Sequence, residues 1–213
     1  MRVELEHPVY LAPSANGPKP ERSFRASLGE STRLSAHEAY ALLGSAWSRL
    51  LGSAPSPRAV AILTAHWALE TDGGRCMPGH NFAGIKAAAG APGAQLRTVE
   101  GHGAGRREIS ARFRAYDSAQ AGARDYVHLL ASRYPAALAA AAAGNAPAFV
   151  QALAHGGYFT ADPVAYAAGL EQRLLDREHG RSSPEQRVSL PGALAQLALA
   201  GILHAFQAPP EDT

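Results

Sequence analysis

From Ser35 onward, helix start and stop signals recur at short intervals along the chain. Ser35 and Glu38 stand at the spacing of a capping box, in which a serine hydroxyl and a glutamate carboxylate satisfy each other's unpaired backbone N–H groups. An apolar stripe of Leu42, Leu43, Trp47 and Leu50 follows, and Gly52 stops it. Ser56 supplies an N-cap ahead of Pro57, a residue suited to the first helical position because it has no N–H to satisfy. This second helix runs through Ile62, Leu63 and Trp67 to Glu70 and ends before Gly73-Gly74. Asp117 and Gln120 repeat the capping-box spacing ahead of Tyr126, Val127, Leu129 and Leu130, with Pro135 beyond. An alanine-rich helix then runs to Gly144, and a short one runs from Pro147 to Gly156-Gly157. Asp162-Pro163 opens another that runs toward Gly180. A chain punctuated this often builds its core from short helices packed on one another.

Composition agrees. The hydrophobic fraction is 46%, enough for a sizeable core, but aromatic residues make up only 7%, and much of the apolar content is alanine. Alanine favours helix and adds little side-chain bulk, so the helices are expected to pack closely. Arg75 to Gly105 reads differently, being glycine-rich with little helical periodicity. Leu96–Val99 and Ile109–Phe113 are expected to form a hairpin around Gly101–Gly105. Residues 1–33 are rich in Pro, Ser, Gly and charge and read as a tail or linker, with one short strand at Val3–Leu5. Residues 181–213 read as a second tail holding one more apolar helix. The sequence therefore predicts a mainly α (α+β) domain over residues 34–180 between two tails.

Charge and cysteine content narrow the function classes. The formal net charge is +2, and no long Lys/Arg run is present, which argues against nucleic acid as a partner. The pI near 8.9 mildly favours an anionic polymer. A single cysteine, Cys76, permits no intrachain disulfide. The N-terminus carries Glu4 and Glu6 and lacks an apolar core, so a secretory signal is not expected. The most apolar stretch, Leu190–Phe206, is interrupted by Pro191, Gln196 and His204 and is short for a membrane span. It is expected to pack back on the domain, or to dock to a membrane or to a carrier that delivers the protein.

Glu70 is the residue most suggestive of chemistry. It ends a helix whose other faces are apolar, and a helix C-terminus disfavours negative charge. Apolar surroundings disfavour ionisation too, so its pKa is expected to rise. A carboxylic acid kept protonated near neutral pH can protonate a glycosidic oxygen. A lone glutamate at a helix end is more commonly a solvated charge, so position alone leaves the point open. His66 and Glu70 lie four apart with His80 and Cys76 nearby, but there is no H-E-x-x-H and no paired-cysteine motif, so neither a metal nor another cofactor is expected. Gly101, Gly103 and Gly105 lack the strand-to-helix context of a phosphate loop.

The words around Glu70 carry more. Ala65-His66-Trp67-Ala68-Leu69-Glu70-Thr71, then Gly73-Gly74, then Asn81-Phe82-Ala83-Gly84-Ile85-Lys86-Ala87 resembles the signature of the bacterial glucosaminidase family, glycoside hydrolase family 73. In that family a helix ending in A-L-E-[ST] precedes glycines and an N-x-F-G-I-K-like turn. Four further stretches resemble family motifs in the same order: Thr98-Val99-Glu100, Phe113-Arg114-Ala115-Tyr116-Asp117-Ser118, Tyr126-Val127-His128-Leu129-Leu130, and Gly157-Tyr158-Phe159-Thr160-Ala161-Asp162-Pro163 followed by Tyr166. The chain departs from the pattern where Ala83 splits Phe82 from Gly84 and where Ala161 separates Thr160 from Asp162.

The resemblance implies a lysozyme-like helical domain with a small β-hairpin lobe. It implies a peptidoglycan hydrolase, an endo-β-N-acetylglucosaminidase cleaving β-1,4 bonds of glycan strands in the periplasm or outside the cell. Glu70 would be the general acid. Glu100 would be base or electrostatic stabiliser, unless the substrate's acetamido group assists, and Glu108 is its nearest rival. Tyr158 would face Glu70 across the cleft and hydrogen-bond the acid or the sugar. Asn81, Phe82, Tyr116 and Tyr166 would line the substrate site. A lytic transglycosylase or muramidase on a related scaffold, and a non-catalytic wall-binding module, are the competing readings.

Overall fold

A computed structural model describes residues 32–87, 93–100, 107–159 and 161–178, with backbone only at 96–100 and 107–109. The readings for Val3–Leu5, Gly101–Gly105, Thr160 and the apolar helix within 181–213 fall outside the described residues. Six helices and one hairpin occur among the described residues: α1 (Ala36–Leu51), α2 (Pro57–Glu70), β1 (Ala94–Glu100), β2 (Arg107–Phe113), α3 (Ala119–Arg133), α4 (Pro135–Ala142), α5 (Ala146–His155) and α6 (Pro163–Glu178). The mainly helical α+β class holds.

The caps explain where most of these helices begin. Ser35 Oγ accepts from Glu38 N, and the Glu38 carboxylate accepts from Ser35 N at 2.9 Å, completing the box. Gly52 closes α1 at φ 70°, in the left-handed region that glycine adopts without a Cβ clash. Ser56 Oγ accepts from Ala59 N at 3.1 Å, with Pro57 in the first turn. Asp162 Oδ1 accepts from Val164 N at 3.1 Å at the start of α6. Two local expectations are corrected. The cap of α3 is Ser118, whose side chain accepts from Ala121 N, so the helix starts one residue later than an Asp117 cap would place it. In α1 the buried stripe is Ala39, Leu43, Ala46 and Trp47, while Leu50 is exposed, because the face turned inward is offset from the leucines.

α2 is the hub. Ala59, Val60, Ile62, Leu63, Thr64, Ala65, His66, Trp67, Leu69 and Glu70 are all buried. A helix covered on every side needs partners on every side, and α2 is packed by α1, α4 and α6. The remaining helices close the shell through α1–α3, α3–α4, α4–α5 and α5–α6 contacts. Small residues make the close approaches. At Gly122 of α3 a Cβ would stand 1.9 Å from the His80 carbonyl oxygen, so only glycine lets the helix lie against that loop.

The hairpin is antiparallel, with register running from Ala94↔Phe113 to Glu100↔Arg107. It is tied to the loop after α2 by a bridge between Lys86 and Phe113 and by Arg114 N donating to Ile85 O at 2.8 Å. Ahead of α1, Thr32 bonds the Met77 carbonyl, and its Oγ1 accepts from His80 N at 2.9 Å. This clamps the chain entering α1 onto the loop that follows Glu70.

Candidate active site

Glu70 is the last residue of α2, and its side chain is 1% exposed. The turn beyond it folds back at once: Asp72, Gly73 and Gly74 take φ of 51°, 65° and 84°. Two glycines supply those angles without steric cost. Asp72 holds its own by accepting from Arg75 Nε at 2.9 Å. Thr71 reaches back to the Trp67 carbonyl, and its hydroxyl accepts from Gly74 N at 3.0 Å.

The polar atoms around the carboxyl group are few and buried. Tyr166, from α6, donates its phenol hydrogen to Glu70 Oε1 at 2.5 Å. His66, one turn earlier on α2, places Nε2 3.6 Å from the same oxygen. Its Nδ1 lies 2.5 Å from the hydroxyl of Tyr126 on α3. Glu70 Oε2 has no hydrogen-bond partner among the described residues. Rings enclose the cluster: His66 contacts Phe149, Tyr158 and Tyr166, and Phe159 stacks on Tyr166 with centroids 4.0 Å apart.

Burial decides the charges here. It pushes the Glu70 carboxyl up to about 8, against the opposing pull of the Tyr166 hydrogen bond. Burial also drives the His66 imidazole down to about 3. At neutral pH both groups are uncharged, so the His66–Glu70 contact is not an ion pair. Because Oε1 already accepts from Tyr166, the carboxylic proton belongs on Oε2. The result is a neutral acid whose proton-bearing oxygen has no described protein group to satisfy it.

The other sequence-nominated residues are placed as follows. Tyr158 packs its ring on His66 and sends its hydroxyl to the Ala83 carbonyl at a long 3.4 Å, so the phenol on the acid is that of Tyr166. Tyr166, which the sequence places in the substrate site, is buried with its phenol on Glu70. Asn81 is buried and spends its whole amide on the turn. Nδ2 donates to Ile85 O and Arg114 O at 2.9 Å each, and Oδ1 accepts from Ile85 N. Phe82 is fully buried and its ring lies beside that of Trp67. Both are buried in this structure. Tyr116 donates to Asp125 at 2.5 Å, and Arg114 donates to the same carboxylate oxygen at 2.8 Å. Glu100 ends β1 opposite Arg107, and Glu108 pairs with Val99. Cys76 is exposed, and among the described residues no group of three or more potential metal ligands gathers. In the sequence His66 reads only as a candidate metal ligand and Tyr126 only as apolar packing. The four-residue spacing of His66 and Glu70 was the signal that they share a helix face.

Comparison with known proteins gives this arrangement a family. The model described as mannosyl-glycoprotein endo-beta-N-acetylglucosaminidase, the glucosaminidase family, matches residues 56–177, from the N-cap of α2 into the last turn of α6. The chain belongs to the glucosaminidase family. It is a glycoside hydrolase by that membership. Among solved structures, the glucosaminidase domain is similar to a peptidoglycan hydrolase from Sphingomonas sp. A1, at 28% identity over 72% of this chain and 96% of that one, TM-score 0.50. A mutant of that hydrolase matches at 29% identity over 68% of this chain and 97% of the other, TM-score 0.50. The catalytic domain of the autolysin Auto from Listeria monocytogenes shares the fold, at 19% identity over 79% of this chain and 92% of that one, TM-score 0.50. No curated protein sequence matches this chain.

Proposed function

We propose that this glucosaminidase hydrolyses peptidoglycan, cleaving β-1,4 bonds on the reducing side of N-acetylglucosamine, with Glu70 as general acid. The observation that carries the reading is the state of Glu70: a carboxylic acid held neutral by burial, anchored through Oε1 by Tyr166, with Oε2 free to give its proton. As that proton passes to the glycosidic oxygen, the bond from the anomeric carbon to that oxygen breaks. Its electron pair leaves with the departing sugar, and Glu70 remains as a carboxylate. The likeness to the Sphingomonas peptidoglycan hydrolase supports the choice of polymer. Water then adds its oxygen to the anomeric carbon and loses a proton to a carboxylate; Glu100 at the end of β1 is assigned the second carboxylate role, as that base or as stabiliser of the cationic sugar. Residues 34–180 form the catalytic unit.

No helix among the described residues is long and apolar enough to cross a membrane. We place the site of action at the cell wall, in the periplasm or outside the cell. Delivery by a carrier through residues 181–213 is part of the same proposal. The deciding experiment incubates purified sacculi with the wild type and with Glu70→Gln, then analyses the products. New reducing N-acetylglucosamine ends from the wild type, and none from the variant, are expected. A clearing rate near wild type for Glu70→Gln would sink the assignment, and 1,6-anhydromuramyl ends would replace hydrolysis with transglycosylation.

A further inference from the structure

Neutral imidazole carries one hydrogen, and the site's hydrogen bonding decides which nitrogen holds it. Tyr126 OH has His66 Nδ1 as its partner at 2.5 Å. If Nδ1 carried the hydrogen, the phenol hydrogen would be buried without this acceptor, and two lone pairs, of Nε2 and Oε1, would face each other. If the phenol donates to Nδ1, the hydrogen sits on Nε2 and points at an acceptor, Glu70 Oε1, at 3.6 Å, just beyond hydrogen-bond length. A donor that faces an acceptor at long range costs less than a phenol hydrogen without this acceptor beside two opposed lone pairs, so the second arrangement prevails.

We propose that His66 is a positioning residue for the acid: Tyr126 holds it as the Nε2–H tautomer, and that N–H closes on Glu70 Oε1 when the carboxyl group loses its proton to the glycosidic oxygen. The inference rests on Glu70 being the general acid. At 3.6 Å the contact is too long for a hydrogen bond to the neutral acid. A carboxylate draws donors closer, and catalytic hydrogen bonds often tighten only as charge develops. A buried anion needs such a donor, because both side chains lie out of reach of bulk solvent. The titratable groups facing the pair among the described residues are Tyr126 from α3, Tyr158 after α5 and Tyr166 from α6. Burial raises all three phenols well above their usual range, so they stay neutral and leave the N–H and O–H dipoles as the available stabilisers.

The test combines a spectroscopic readout with kinetics on solubilised glycan strands. In imidazole-15N-labelled wild type, long-range proton–nitrogen NMR is expected to show a neutral His66 protonated on Nε2 from pH 5 to 8, roughly the range between its lowered pKa and that of Glu70. His66→Leu is expected to lose at least about tenfold in kcat with little change in KM. The basic limb of its pH profile should move upward, since the carboxylate has lost a donor. His66→Gln, which restores an N–H, should recover most of the rate. Should neither variant fold, Tyr126→Phe takes their place, with the Nε2–H preference weakened and kcat lowered. An Nδ1–H tautomer in the wild type overturns the proposal. So does a folded His66→Leu enzyme with wild-type kcat and an unmoved basic limb. Glu70→Gln run alongside separates the two ideas: activity in that variant removes the acid assignment, whereas an inactive Glu70→Gln beside a fully active His66→Leu removes only the role of His66.

Discussion

Glu70 combines two disfavoured circumstances, a helix C-terminus and near-complete burial, and both hold it neutral. The linkage has a definite sign. A carboxyl group whose folded pKa is raised to about 8 from a reference of 4.5 leaves stability intact below the lower value. Stability is then lost as pH rises through the window between the two. Glu70→Gln carries no ionisable group, so it is expected to melt close to wild type at acid pH and increasingly above it toward pH 8, a comparison that melting curves across pH check directly. Tyr166→Phe deletes the phenol that holds Oε1. Its hydrogen bond lowers the Glu70 pKa against burial, so the basic limb of the pH–rate profile should shift upward. Activity should fall at least about tenfold. An unchanged profile in a folded Tyr166→Phe enzyme would mean the phenol is packing and nothing more.

The elements that hold the site differ in how they hold it. α2 is secured by burial on all sides, whereas the loop from Thr71 to Ala87 is secured by a few hydrogen bonds: the Asn81 clasp on Ile85 and Arg114, and the Thr32 tie to Met77 and His80. α3 presses on that loop through Gly122. Gly122→Ala should force α3 away from the His80 carbonyl and cost about 1–3 kcal/mol by chemical denaturation. The cap of α3 offers a sharper check. Ser118→Ala is expected to cost about 1 kcal/mol and Asp117→Ala close to nothing, because only the serine side chain accepts from the helix N-terminus. The reverse order would restore the Asp117 cap.

At the scale of the whole molecule, the family match ends in the last turn of α6, where Arg58 meets Glu178 at 2.7 Å and joins the start of α2 to the end of α6. The hub helix is thereby enclosed within residues 32–178. A chain truncated after residue 182 is expected to keep its circular dichroism signal and its clearing of isolated sacculi, even if delivery changes. Loss of both would make the C-terminal stretch part of the catalytic unit.

Local chemistry written into the sequence determined the helices, the hairpin and the candidate acid. Caps such as Ser35–Glu38 and Ser56–Pro57 act within a single turn, strand alternation acts between neighbours, and a glutamate at the end of an apolar helix is conspicuous in one dimension. Only the tertiary structure decided which tyrosine reaches Glu70, that Asn81 and Phe82 are buried, and that His66 lies between Tyr126 and the acid. Tyr126 and Tyr166 come from helices far apart in the chain, and the helix assembly brings their hydroxyls to His66 and Glu70, on one buried face of α2. Periodicity can say that a tyrosine faces inward. It cannot say which polar atom waits there, because that depends on how helices from distant segments cross, and with it the protonation state on which the chemistry turns.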